Sequence, residues 1–314
     1  MAPFQRSTPT RGDVVTGVDH VMLAVPDLDA ARAAFTACFD RPSRPGSRHP
    51  GWGTTNAVLR FADSYLELIT VVDRAEAAGR PASRRMTGVS DAGGGWVSAV
   101  LAAEDLPATC AALADRGVPV SPPLDGVSVR PDGRRRRWRV GAHGEEFRSG
   151  RLPSLIEYLD PWPGADPDPA ELRRGGVHGV AGVDIAVTDL PAAAAEYAVL
   201  LGGPPALGDR SATWTLPDGR VLRLLAPVGS AGPAGVGDPV AAHLDRLGPG
   251  LCAVALAVDS PAAVAAAVAG RGVAVRPGVD GEPVVDPAGC APIWLVAARP
   301  APSRRPVVTA GATR

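Results

Sequence analysis

The chain has 314 residues, 46% of them hydrophobic, with 32 basic against 33 acidic side chains and a net charge of −1. That length suggests two domains with enough apolar content for ordinary cores, and the balanced charge argues against nucleic acid or an anionic membrane as partner. Every basic residue is arginine, which excludes Schiff-base lysine chemistry and a P-loop, and the four cysteines (38, 110, 252 and 290) show no C-x-x-C spacing.

The first patterned segment, "VDHVMLAVPDLDAARAAF" (18–35), reads as a short apolar strand containing His20, then Asp27, then an alanine-rich helix. "HPGWGTTNAVLRFADSYLELI" (49–69) reads as two strands turning at Ala62-Asp63-Ser64. Side chains alternate along a strand, so Tyr65, Glu67 and Ile69 share one face of "YLELI" and Leu66 and Leu68 the other. Strand, aspartate and helix return in "VSAVLAAEDLPATCAALADRG", which ends at Gly117. Next comes "SVRPDGRRRRWRV", a hairpin at Asp132-Gly133. Its arginine run, Arg134 to Arg137, reads as a solvated edge strand. In "LPSLIEYLDPW", Leu155 and Glu157 share a face. Residues 161–176, rich in proline, glycine and aspartate, read as an interdomain linker. The pattern then appears twice more, in "VDIAVTDLPAAAAEYAVLLGG" and "VALAVDSPAAVAAAVAGRG", with hairpin signals at Asp218-Gly219 and Asp280-Gly281. The final stretch reads as a mobile tail.

The anchoring aspartates, Asp27, Asp105, Asp189 and Asp259, lie 70 to 84 residues apart. The chain therefore reads as four βαβββ units, an α+β plan in which each unit exposes one apolar sheet face and needs a neighbour to cover it. The expected organisation is a first domain over 15–160, a linker over 161–176, a second domain over 177–298 and a tail over 299–314. No apolar run has the length of a signal peptide or a membrane span, so a soluble cytoplasmic monomer or homodimer is expected.

This four-unit plan resembles the vicinal oxygen chelate superfamily, the glyoxalase/bleomycin-resistance/dioxygenase fold, and its glyoxalase-like branch in particular. The resemblance rests on "DHVMLAVPDLDAA", on residues 49–69 and on "LPSLIEYLDPW". It implies paired units forming cup-shaped mixed sheets, with metal ligands from the first and last strand of each unit. Carried over, those positions give His20 and Glu67 in the first unit and Ser98 and Glu157 in the second, serine standing where an imidazole is usual. The second domain offers Gly182, Arg223 and Cys252 there, and reads as a degenerate copy.

One imidazole and two carboxylates suit a single divalent ion, Mn²⁺, Fe²⁺, Zn²⁺, Co²⁺ or Mg²⁺. The resemblance then implies a small oxygenated substrate chelated by the metal and a lyase or isomerase reaction, with Glu157 as metal ligand and general base. A ring-cleaving dioxygenase is a variant. The alternative is a non-catalytic, resistance-type binding protein with no metal, in which Glu67 pairs with an arginine. Expected substrate contacts are Ser98, His49, Asn56, Thr55 and Trp52. Of the other histidines, His143 is a candidate replacement ligand, His178 could cap the pocket, and His243 reads as a helix-surface residue. Trp96 reads as core.

Overall fold

The computed structural model describes residues 15–118, 120–141, 150–161, 168, 170–228, 238–278 and 281–298. The expected tail, residues 162–167 and 169 of the expected linker, His143 and Asp280 lie outside the described residues.

The first unit comprises β1 (Gly17–Ala24), α1 (Leu28–Phe39), β2 (Arg44–His49), β3 (Thr54–Arg60) and β4 (Tyr65–Val71). The repeated aspartate has a local cause. Asp27 is extended and its carboxylate accepts the Ala30 N–H at 2.9 Å, capping α1. Asp105 and Asp189 cap α4 (Leu106–Asp115) and α5 (Leu190–Leu201) in the same way. The fourth copy departs from this. Ser260 caps α7 (Pro261–Gly270), and Asp259 instead accepts a hydrogen bond from His178 at 2.6 Å.

The repeat pattern leaves 72–94 unassigned, and the structure places two helices there. These are α2 (Arg74–Ala78), capped by Asp73, and α3 (Pro81–Asp91), with proline in its first turn. A further helix, α6 (Pro239–Leu247), precedes the fourth unit.

The second unit supplies β5 (Gly95–Ala102), β6 (Leu124–Val129), β7 (Arg135–Gly141) and β8 (Ser154–Tyr158). At the centre of the first sheet β1 runs antiparallel to β5, and each has a parallel neighbour, β4 and β8 respectively. The order β1-β4-β3-β2-β6-β7-β8-β5 curls the sheet into a cup, its rim joined by the single bridge Arg48↔Val129. The arginine-rich β7 is therefore no edge strand. It pairs with β6 on one side and β8 on the other.

The second sheet repeats the plan. Its central antiparallel pair is β9 (Val177–Ala186) and β13 (Gly250–Val258), flanked in parallel by β12 (Val221–Leu225) and β16 (Ile293–Ala297). The outer strands are β10 (Ala206–Gly208), β11 (Ser211–Thr215), β14 (Val275–Pro277) and β15 (Pro283–Val285).

One contiguous apolar core runs through both sheets. It joins Leu23, Leu66 and Leu68 of the first to Val183, Ile185 and Leu256 of the second, with Phe35 and Tyr197 from the helices. Two buried arginines tie the halves. Arg41, 3% exposed, donates 2.8 Å hydrogen bonds to the carbonyls of Arg60, Leu172, Arg174 and Val177. Arg220 donates to the Val180 carbonyl and to Asp218 and Asp63. The planar, multi-donor guanidinium suits such sites, because one side chain can reach several carbonyls at once. Among the described residues no helix is long and apolar enough to cross a membrane.

Candidate functional site

The first cup encloses about 960 Å³ of empty volume, its open mouth included. Strand alternation decides which side chains face it. His20 and Met22 come from β1, Tyr65, Glu67 and Ile69 from β4, and Thr54, Asn56 and Val58 from β3. From the opposite wall come Val100, Ser154, Ile156 and Tyr158, with Arg130, Arg136 and Trp138 from the β6–β7 hairpin. Helix α3 adds Ala82 and Met86.

The wall has an apolar and a polar part. Trp52 and Trp138 pack with ring centroids 5.3 Å apart, within a cluster that includes Ile69, Met86 and Val140. Gly126 faces Trp138 across the β6–β7 pair, and a Cβ there would lie 2.2 Å from the indole. The ring lies against the backbone because that residue has no side chain.

On the polar part, His20 and Glu67 are 4% and 5% exposed. His20 Nδ1 donates to Asp19 at 2.7 Å, and Nε2 faces Glu67 Oε2 at 3.4 Å. The ring also stacks on Tyr65, centroids 4.4 Å apart. Burial alone would lower the imidazole pKa, but the two carboxylates outweigh it and raise it to about 9. His20 is an imidazolium at neutral pH. Burial likewise opposes the charge of Glu67, yet its bonds with His20 and Asn56 hold its pKa below the usual carboxylate value. Asn56 Nδ2 donates to Glu67 Oε1 at 2.5 Å, and Asn56 Oδ1 accepts the Ser47 N–H. His49, 7% exposed, bonds Thr54 Oγ1 through Nδ1 at 2.9 Å. Burial, with the charge of His20, lowers its pKa, so it is neutral. Behind β1, Asp19 also accepts the Tyr158 hydroxyl at 3.1 Å, and Tyr65 and Tyr158 hydroxyls lie 2.7 Å apart.

The structure gathers His20, Glu67, His49, Asn56 and Trp52 around the cup but not the remaining expected residues. Glu157 is a correction. The cup-facing residues of β8 are Ser154, Ile156 and Tyr158, so Leu155 and Glu157 point the other way. Glu157 accepts the first N–H of α4, from Leu106, at 3.2 Å and lies 3.7 Å from Arg139. Thr55 also points away and donates to the Ser47 carbonyl. Ser98 is 6% exposed and does not itself line the cavity. It donates to the Ala99 carbonyl, and its Oγ lies 3.3 Å from Ser154 Oγ. His178 is engaged with Asp259 and does not line the cup. His243 is not a helix-surface residue. It is 9% exposed, and burial, with nearby Arg246 and Arg85, pushes its pKa down to about 4. Trp96 is 1% exposed and lies in the main core.

Sequence reasoning missed Asp19, Tyr158, Ser154, Arg130, Arg136, Trp138 and the α3 contribution. Asp19 carried no signal, since its neighbour His20 should point to the opposite face. The β1–β5 register skips one residue between Val18 and His20, and this bulge brings the two side chains together. Trp138 and Arg136 did share one phase of an alternating strand, and a central placement of β7 would have revealed them.

The divalent metal implied by the resemblance can be tested on register. Met22 pairs with Glu67 across β1–β4, and Val100 pairs with Ser154 across β5–β8. Across β1–β5, His20 faces Val100 and Met22 faces Ser98. The approximate twofold relating the two units therefore sets Ser98 and Ser154 against His20 and Glu67. Half of the expected donor set consists of neutral hydroxyls, weak ligands for transition metals. Among the described residues no three His, Cys, Asp or Glu side chains converge as a metal requires. The described residues do not fit the ion.

The second cup differs. Arg223 binds Asp184 through both carboxylate oxygens, at 2.9 and 2.8 Å. The two are register partners, as Met22 and Glu67 are in the first cup.

The sequence profile of a family described as a glyoxalase-like domain matches residues 18–201. A hypothetical protein from Staphylococcus aureus superposes with a TM-score of 0.61 at 11% identity, covering 89% of this chain and 99% of that one. A mutant of 4-hydroxymandelate synthase from Streptomyces coelicolor superposes with a TM-score of 0.55 at 14% identity, covering 90% of this chain and 94% of that one. At such identities the likeness is one of fold. No curated protein matches the sequence at a significant level.

Proposed function

The chain belongs to the glyoxalase-like domain family, within the vicinal oxygen chelate superfamily, and on that premise we propose that its first cup binds a small organic molecule without a resident metal ion. The observation that carries this reading is the Ser98–Ser154 pair, 3.3 Å apart, at the positions related by the approximate twofold to His20 and Glu67. The donors that remain are engaged with one another. His20 holds Asp19 and Glu67, and Asn56 holds Glu67. A buried carboxylate must be paired, and here an imidazolium and an amide do so where a metal otherwise would. Tryptophan and tyrosine walls offer a ligand apolar area at little entropic cost. The reading is thus of a binding or sequestering protein. Residues 15–160 form its site-bearing domain, and 177–298 a copy that buttresses it.

Metal content measured by mass spectrometry on protein purified without chelator tests this. The expected result is less than a tenth of an equivalent of Mn, Fe, Co, Ni or Zn, unchanged by soaking and gel filtration. One equivalent in the wild type, lost in both His20→Ala and Glu67→Ala, would overturn it. The site would then return to metal-dependent lyase, isomerase or dioxygenase chemistry.

A further inference from the structure

The charges around the cup are unevenly placed. The polar wall contributes one carboxylate, Glu67, and it is already shared between His20 and Asn56. Against it stand the guanidinium groups of Arg130 and Arg136. Both arginines lie on the cup-facing side of the β6–β7 hairpin. Arg136 pairs with Ser128 across the hairpin, and Arg130 follows two residues beyond Ser128 on the same face. Arg136 is held in place, its guanidinium 3.3 Å from the centroid of the Tyr158 ring and its Nε donating to the Asp160 carbonyl. Arg130 Nε is buried without a hydrogen-bond partner, its nearest carboxylate being Asp132 at 3.6 Å. Asp132 and Asp160 balance part of this charge from outside the cup, and Asp19 does so behind β1. Within the described lining two guanidinium groups face one carboxylate. Beside them lies the apolar cluster of Trp52, Trp138, Ile69 and Met86.

We propose that the ligand is an organic anion with a flat apolar body, its carboxylate or equivalent oxyanion set between Arg130 and Arg136 and its body against Trp52 and Trp138. The inference rests on the metal-free binding reading and adds the class of ligand. A guanidinium matches a carboxylate in shape and donor count. A cationic ligand would meet two guanidinium charges in a low-dielectric cup.

Three probes of one shape separate the possibilities: 2-naphthoate, 2-naphthalenemethanol and 2-naphthylmethylammonium. Binding is followed by calorimetry and by quenching of tryptophan fluorescence, on chelator-treated protein and again with added Mn²⁺ or Zn²⁺. The expected order is naphthoate tighter than the alcohol by about tenfold or more, with the ammonium weakest. Arg130→Gln and the double variant with Arg136→Gln should bring naphthoate down toward the alcohol and leave the alcohol unchanged. The alcohol also reports that a variant's cup is intact. Equal binding of all three probes, an anion preference that survives the double variant, or no binding of any probe would overturn the proposal. Binding that is metal-independent but blind to charge sinks the ligand class alone. Naphthoate binding that appears only with added metal sinks the metal-free reading.

Discussion

The two cups share a strand plan and differ in what stands at its centre. In the first, the register pair is Met22 and Glu67, and the carboxylate takes its partners, His20 and Asn56, from the floor and the side. In the second, the register pair is Asp184 and Arg223, and each neutralises the other through two hydrogen bonds. There the guanidinium of the adjacent strand holds the carboxylate through two hydrogen bonds. An imidazole and an amide at the edge of theirs leave the middle of the cup open. The difference is one of geometry more than of polarity, since both sites bury a carboxylate and pair it with a cation. In both cups the cation and the carboxylate sit on adjacent parallel strands, but their places are exchanged: His20 stands on β1 beside Glu67 on β4, and Asp184 on β9 beside Arg223 on β12.

The largest effect should come from separating the cups. One apolar core runs through both sheets, so residues 15–160 expressed alone should lack cooperative thermal unfolding and dispersed amide resonances. A half that melts cooperatively would show that the two cups are independently stable. Next in size is the second cup's ion pair. Arg223→Met leaves Asp184 buried and unpaired, which should cost about 2–3 kcal/mol in denaturant unfolding, part of the penalty being spared because Arg223 is 29% exposed. Adding Asp184→Leu to it should recover most of that loss. A single variant as stable as wild type would mean the pair contributes little.

The first cup should respond to alkaline pH. The folded pKa of His20, about 9, lies above its unfolded value of 6.5. Its contribution is therefore complete below about pH 6.5 and is lost as pH rises through 9. Stability should fall by about 1–3 kcal/mol across that window. Glu67→Gln should lower the His20 pKa seen by imidazole NMR, and an unchanged titration would disconnect the two. The smallest effect is expected at Glu157. Glu157→Gln removes a contact at the start of α4 and a partner of Arg139, at a cost of about 0.5 kcal/mol. It should leave naphthoate binding alone, and a lost affinity would return Glu157 to the site.

Much of the architecture was legible because local chemistry wrote it. Asp27, Asp105 and Asp189 cap helices, and a cap is readable from a few residues. The facing of Glu67 was legible too, because "YLELI" alternates between two strong apolar leucines and the rest. Glu157 was misread because "SLIEY" has no such alternation, and its phase is set by the β5–β8 register, which pairs Val100 with Ser154. The sole carboxylate of that strand reads as a ligand, but the register turns Ser154, not Glu157, toward the cup. Asp19 was invisible because a bulge is a property of two strands together. The helices over 74–78 and 81–91 did carry a cap at Asp73 and a proline at Pro81, and these signals were overridden by the expectation of a bare repeat.

Arg41 sets an order on the birth of the molecule. Of the four carbonyls it gathers, only that of Arg60 belongs to its own half. Those of Leu172, Arg174 and Val177 lie 131 to 136 residues downstream. At the ribosome's pace of about 5–20 residues per second, Arg41 waits roughly 7–27 s for those acceptors to be made. Through that interval a guanidinium destined for the interior must stay in water, and the seam beside it must stay ajar. The last event in the burial of Arg41 is dictated by chain that follows the cup's own final strand.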